Sequence, residues 1–293
     1  MSLKSPLPVY CLDSFRETVS GHHQAFDIKR LEELKENFSL TQHPHKHNFY
    51  DVLIITKGSG KHTIDFTTYE VKPCSIFFLT PGQVHSWELS EDTTGYSIFF
   101  EADFYGIHRS RGRLRDMPFF HVLSGAPALY IDCEREKYVK EIVTSMFIEQ
   151  KNHEARHAEI IRAYLELLLM KLSRFYEQGQ EESATPYHQQ KVAEYEELIE
   201  QYYLQKRQVK AYADMLNMTT KNLNTICKKG ANKTAKELIH SRVILEAKRL
   251  LLHADLSVQQ VGEKLDFIDD SYFVRYFRMH GGMTPEQFRK TYY

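Results

Sequence analysis

Gln208-Val209-Lys210-Ala211-Tyr212-Ala213-Asp214-Met215-Leu216, then Asn217-Met218-Thr219, then Thr220 to Lys229, reads as a short apolar helix, a tight polar turn and a second helix. The same phrase returns downstream. Val258-Gln259-Gln260-Val261-Gly262-Glu263-Lys264-Leu265 is followed by a turn over Asp266 to Asp270 and a helix over Ser271 to Met279. Two helix-turn-helix units in one chain suit two turns of a DNA major groove. Between them Ala235 to His253 predicts one uninterrupted helix, with Thr234 as its N-cap. At ~1.5 Å per residue it is nearly ~30 Å long, close to the ~34 Å of one duplex turn. Gly281-Gly282 and Thr284-Pro285 then end the second reading helix and open a short closing one, Glu286 to Tyr292.

In the first unit Ala211, Ala213 and Leu216 allow close crossing of the support helix, and Thr219 has the hydroxyl to cap the next one. Leu223 and Ile226 face inward, leaving Lys221, Asn222, Asn224, Thr225 and Lys228 outward. Asn pairs bidentately with adenine edges, and Lys reaches guanine or phosphate. The plainer alternative is a solvated helix face. In the second unit Ser257 caps the support helix, Phe267 plugs the core, and Phe273 and Phe277 anchor the reading helix. Asp270, Ser271, Val274, Arg275 and Arg278 point out. Arg275 stands where the N-terminal part of a recognition helix meets base edges, so it is read as a base or phosphate contact, the alternative being an intramolecular ion pair.

Charge supports this placement. The net charge of -1 conceals an asymmetry: Lys206 to Tyr293 carries a clear excess of Lys and Arg, and the rest of the chain an excess of Asp and Glu. Such a split joins a nucleic-acid-facing part to an acidic partner domain. With 42% hydrophobic residues over 293 positions, two packed domains are expected. Cys11, Cys74, Cys133 and Cys227 form no C-x-x-C pair, which argues against a disulfide or zinc framework and for a reducing cytoplasm. No apolar run reaches membrane-spanning length, and no signal-peptide pattern is present.

Upstream, Tyr50 to Thr56, His62 to Phe66, Ser75 to Leu79 and Tyr96 to Phe100 are rich in apolar and β-branched residues and bounded by turn signals such as Lys57-Gly58-Ser59-Gly60. They predict an antiparallel sandwich or barrel, closed to remove its edges. The period then changes, and Arg135 to Gln150 and Ala155 to Tyr176 read as helices. Ile161, Leu165, Leu168, Leu172 and Phe175 recur at spacings of an a/d seam. That seam packs on the chain's own barrel, pairs two subunits, or does both. Glu177 to Gln190 is polar, with Gly179 and Pro186 as breakers. The expected fold is therefore α+β: a barrel over 1–134, a helical dimerisation segment over 135–178, a linker over 179–190 and an all-α DNA-binding domain over 191–293.

From Val209 to Lys290 the chain resembles the DNA-binding domain of AraC-type transcriptional regulators. The resemblance runs through Ala213, Leu216, Leu223, Arg242, Ala247, Leu250-Leu251, Ser257-Val258, Phe267, Ser271-Tyr272-Phe273, Arg275, Phe277, Gly282 and Thr284 to Arg289. It implies double-stranded DNA as partner, with RNA polymerase as a further candidate, and the homodimer expected here pairs through the Ala155 to Tyr176 helix. Three departures stand out. Gly262 replaces the family's Ala, Asp266 its Gly, and Thr225 with Cys227 the Arg and Phe common in the first reading helix. Asp266 must therefore adopt a left-handed backbone, which Asp tolerates better than most residues.

His45-x-His47-x-x-x-Asp51 and Pro81-Gly82-Gln83-Val84-His85 resemble the two motifs of the cupin barrel, with Asp51 in place of Glu and Thr80 in place of Pro. Alternate strand positions point the same way, so His45 and His47 could share a ligand. The resemblance implies that His45, His47, Asp51 and His85 would be the set for a divalent Fe, Mn, Ni or Zn ion. The reading preferred here requires no cofactor: a small-molecule effector pocket lined by His45, His47, Tyr50, His85, Trp87 and Phe100. His22-His23 and His43 are read as solvated loop residues. No nucleophile elbow, P-loop or dinucleotide fingerprint occurs. The expectation is a ligand-responsive, sequence-specific transcription regulator. The runners-up are a metal-dependent cupin enzyme with a C-terminal interaction module, and a regulator whose barrel only dimerises.

Overall fold

The computed structural model describes residues 7–15, 25–37, 41–106, 114, 117–178 and 185–292. The chain divides into two compact units, Pro8–Glu181 and Glu182–Tyr293. His22, His23 and positions 179–184 of the expected linker lie outside the described residues.

The first unit is built on β1 (Val9–Tyr10), β2 (Phe26–Arg30), α1 (Leu31–Asn37), β3 (Thr41–His47), β4 (Tyr50–Lys57), β5 (Gly60–Ile64), β6 (Thr67–Val71), β7 (Ser75–Leu79), β8 (His85–Leu89), β9 (Thr94–Phe100), α2 (Ala102–Gly106) and β10 (Ala128–Tyr130). The strands form two sheets, ordered β1-β3-β8-β5-β6 and β10-β7-β4-β9-β2. Ile64 and Val71 of the first share one core cluster with Leu53, Ile55, Phe77, Leu79 and Phe99 of the second, so the sheets face each other as a sandwich. Of the sandwich or barrel expected, the strands form the sandwich; β1 and β6 end one sheet, and β1 joins it in parallel with β3.

Two long helices follow, α3 (Cys133–Asn152) and α4 (His157–Gln178). They cover the outer face of the second sheet, where Val52, Ile54, Ile76, Phe78 and Ile98 meet Val139, Val143, Met146, Ile161, Leu165, Leu168 and Leu172. A strand buried on both faces is apolar at consecutive positions, which is why Val52 to Ile55 shows no alternation. The predicted seam is thereby placed. Ile161, Leu165, Leu168 and Leu172 are internal to the subunit, and Phe175 packs beside them. A second copy cannot use them without opening this core. Ile160, Leu167 and Met170 are the exposed apolar residues on the other side of α4.

The second unit starts earlier than the polar composition indicated. Thr185 is the N-cap and Pro186 the first residue of α5 (Pro186–Tyr202), so the last five residues of the expected linker are helix. Then come α6 (Val209–Met215), α7 (Thr220–Ala231), α8 (Ala235–His253), α9 (Val258–Lys264), α10 (Asp270–Gly281) and α11 (Pro285–Tyr292). Tyr195 of α5 is fully buried and donates its hydroxyl to the Ala235 carbonyl at 2.9 Å, tying α5 to the first turn of α8.

Candidate functional site

The helix pairs α6–α7 and α9–α10 are one design used twice. Asn217 and Asp266, at the exits of the two support helices, both take left-handed backbones, with φ of 53° and 59°. Thr219 accepts from the Asn222 amide at 3.2 Å and Asp269 from the Ser271 amide at 2.9 Å, so each reading helix is capped by a side-chain oxygen. Leu223, Ile226 and Cys227 in one, and Phe273, Tyr276 and Phe277 in the other, form the buried faces. Asn232 and Gly282 end the two helices with positive φ. The turns differ by one residue. Leu216 to Met218 precede the first cap, whereas Leu265 to Ile268 precede the second, and Ile268 projects wholly into solvent. The second reading helix accordingly begins at Asp270 rather than Ser271.

Gly262 has a steric cause. A Cβ there would stand 3.3 Å from the Phe273 ring, so the larger aromatic on the reading helix is matched by a smaller residue on the support helix. Cys227 is a small buried thiol on the inner face of α7, its pKa pushed up to about 12 by burial and then by Glu196.

Lys221, Asn222, Thr225, Lys228, Asp270, Ser271, Arg275 and Arg278 are all exposed. Asn224 is a correction. Its side-chain nitrogen donates to the Thr220 carbonyl at 3.1 Å and its oxygen accepts from the Ala235 amide at 3.0 Å. Asn224 therefore joins α7 to the start of α8, with one amide hydrogen and one lone pair of its oxygen engaged within the chain. Thr225 donates back to the Lys221 carbonyl at 3.0 Å. The first reading helix presents Lys221, Asn222, Thr225 and Lys228 to solvent, while the second presents two arginines.

Helix α8 carries both units. Thr234 and Glu237 close a capping box at its start, and its 19 residues span ~28 Å. Its buried Arg242 donates to both carboxylate oxygens of Glu200 and, at 2.9 Å, to Glu246, and stacks 4.1 Å above the Tyr203 ring.

In the first unit, strand register gathers four histidines on one sheet. His45 pairs with His85 across β3–β8, and on β5 His62 pairs with Trp87. Ring centroids lie 4.1 Å apart for His45–His85, 5.1 Å for His47–His85 and 5.3 Å for His62–His85. Trp87 stands edge-on to His45 at 6.0 Å. Burial holds all four imidazoles below their ordinary range, His47 at about 4 and His62 at about 3, so all are neutral near pH 7. His45 donates Nδ1–H to the His43 carbonyl at 2.9 Å and His47 donates to the Phe49 carbonyl at 2.7 Å. Each Nε2 consequently carries a lone pair. His62 Nε2 and His85 Nδ1 share one hydrogen bond of 3.1 Å. His47 Nε2, His62 Nδ1 and His85 Nε2 are buried without a partner among the described residues.

His62 has no motif to announce it, but its place two residues before inward-facing Ile64 was a usable signal. Tyr50 and Phe100 do not belong to this group. They stack on each other at 5.3 Å and meet Phe120 on the helix-covered face of the other sheet. His43 lies exposed on β3 rather than in a loop. Asp51 is buried and accepts from Ser97 Oγ at 2.6 Å, with burial pushing its carboxyl up to about 7. Among the described residues no three His, Cys, Asp or Glu side chains are placed to hold a metal ion. The His45 and His85 rings are tilted by 52° with centroids 4.1 Å apart, and Asp51, the fourth member of the set implied by the cupin motifs, is hydrogen-bonded to Ser97. No helix among the described residues is long and apolar enough to cross a membrane.

Comparison with known proteins places both halves. A helix-turn-helix domain family matches residues 212–291, and the AraC-like ligand binding domain family matches residues 36–172. Over 258 residues the chain is 22% identical to the HTH-type transcriptional activator RhaR of Enterobacter sp. (strain 638), covering 84% of this chain and 86% of RhaR. It is 20% identical to the HTH-type transcriptional activator RhaS of Escherichia fergusonii, covering 84% and 87%. Among solved structures, ToxT from Vibrio cholerae O395 aligns over 91% of this chain and 97% of its own, at 14% identity and a TM-score of 0.41.

Proposed function

The chain belongs to the AraC family of helix-turn-helix transcriptional regulators and has an AraC-like ligand-binding domain ahead of its DNA-binding one; from that premise we propose that it reads two successive major grooves and answers to an effector held beside the four histidines. It is a regulator rather than an enzyme. The observation that supports tandem reading is the duplication of cap, left-handed turn and amphipathic helix on either side of one rigid 19-residue helix. Lys221, Asn222 and Lys228 would serve one groove, and Asp270, Ser271, Arg275 and Arg278 the next.

Selection of fragments from a random DNA pool tests this. The enriched sites should contain two conserved elements about one helical turn apart, and Arg275→Ala should relax one position by about 1–3 kcal/mol. A single short element would overturn the tandem reading. A second copy of the chain, joined through Ile160, Leu167 and Met170, would make the whole pattern appear twice; sites that never repeat would count against a homodimer.

The effector site is proposed around His45, His47, His62, His85 and Trp87. Two obligate lone pairs in a neutral, buried setting favour a ligand that donates hydrogen bonds. Trp87 is the sole tryptophan, so its emission reports occupancy. A compound that changes it should also raise a reporter placed behind the selected site, since the relatives RhaR and RhaS are activators and RNA polymerase is the partner that role requires. A compound that shifts Trp87 emission yet leaves the reporter unmoved would refute the coupling.

A further inference from the structure

The two reading heads are linked by more than α8. Arg207 directly precedes Gln208, the N-cap of α6, and so belongs by backbone to the entrance of the first unit. Its side chain reaches the second. The guanidinium donates to the carbonyl of Leu265, the C-cap of α9, lies 3.8 Å over the Phe267 ring, and stands 5.9 Å from the Tyr276 ring of α10. Leu265 and Phe267 flank left-handed Asp266, so the guanidinium holds both sides of the turn that aims α10. A cleft of about 660 Å³ runs along this seam, with Arg207 and Arg275 among its lining residues. Arg is suited to the task because its planar fork stacks and donates at once, which an ammonium cannot do.

We infer that Arg207 is a positioning residue that fixes the spacing and phase of the two DNA-reading heads, so that both elements of a site are engaged together. This rests on the tandem reading proposed above. Simultaneous engagement makes the second contact intramolecular, and its gain depends on the heads being held at the right separation. Loss of Arg207 leaves the exposed faces of α7 and α10 intact but frees the angle between them.

The experiment uses the full chain and three duplexes: the selected site, the site with its first element scrambled, and the site with its second element scrambled. Arg207→Met and Arg207→Ala should bind both scrambled duplexes within about twofold of wild type, and the intact site about tenfold more weakly, a loss of roughly 1.4 kcal/mol. Both should also tolerate one inserted base pair between the elements better than wild type. An equal loss on all three duplexes would make Arg207 an ordinary phosphate contact and overturn the inference. So would undiminished binding of the intact site. A folded second unit is checked by thermal unfolding; if Arg207→Met unfolds it, Arg207→Lys, which keeps the charge and loses the stacked fork, must show the same selective loss or the inference fails. Wild type with no preference for the intact site over the scrambled ones would instead refute the tandem reading itself.

Discussion

Arg242→Ala is expected to destabilise the second unit by about 3 kcal/mol, the low end of the roughly 3–5 kcal/mol seen when one partner of a buried ion pair is removed. Arg242 is 5% exposed and serves two carboxylates and one aromatic ring, joining α5 to α8. The low end applies because the Glu200 side chain is 61% exposed and regains water once its partner is gone. Glu246, at 25%, regains less. Burial works against the Glu200 carboxylate, but the Arg242 hydrogen bonds and charge outweigh it and hold the group below its ordinary range. A folded-state value that is depressed gives stability present above the unfolded value and lost as pH falls through the folded one. Urea unfolding of wild type should therefore weaken on acidification into the carboxylate range, and Arg242→Met should lose much of that dependence. A change below about 1 kcal/mol for Arg242→Ala, the magnitude of a surface pair, would mean that the α5–α8 contact stands without it.

The DNA-binding half was legible because its signals are local. Thr219, Thr234 and Ser257 are polar residues at the entrances of apolar helices, and a cap depends on neighbours three residues away. Asp266 in a left-handed turn follows from the same local chemistry. What failed depends on distant partners. Asn224 reads as wholly outward until the start of α8, eleven residues on, engages its side-chain oxygen. Tyr50 sits beside inward-facing Asp51, and strand alternation sends it to the opposite face from the histidines; which face holds the pocket is decided by sheet pairing, not by β4 alone. The α4 seam was visible as a stripe, yet a stripe does not say whether a sheet or another subunit covers it. Here Val52, Ile54 and Phe78 do.

DNA affinity should fall about a thousandfold or more between roughly 50 and 200 mM salt, with a slope of log affinity against log salt near −5, if about six phosphates are contacted. The cations for this are present: Lys210, Lys221, Lys228, Lys229, Arg275 and Arg278 are all exposed on the two helix-turn-helix units. Lys228 has a carboxylate neighbour, Glu237 at 3.9 Å, but the pair is open to water and costs little to part. The overall charge of -1 would predict almost no attraction to a polyanion. Distribution decides otherwise, because the acidic excess lies in the part of the chain before Lys206 and fields are screened beyond ~8 Å at physiological salt. Filter binding on the selected site across this range measures the slope, and a flat response would sink groove binding altogether. The same titration assigns Arg275. If its guanidinium meets a phosphate, Arg275→Ala lowers the slope by about one on every sequence. If it meets a base edge, the slope stays and the loss appears only on the selected site, because base contacts carry sequence information and phosphate contacts do not.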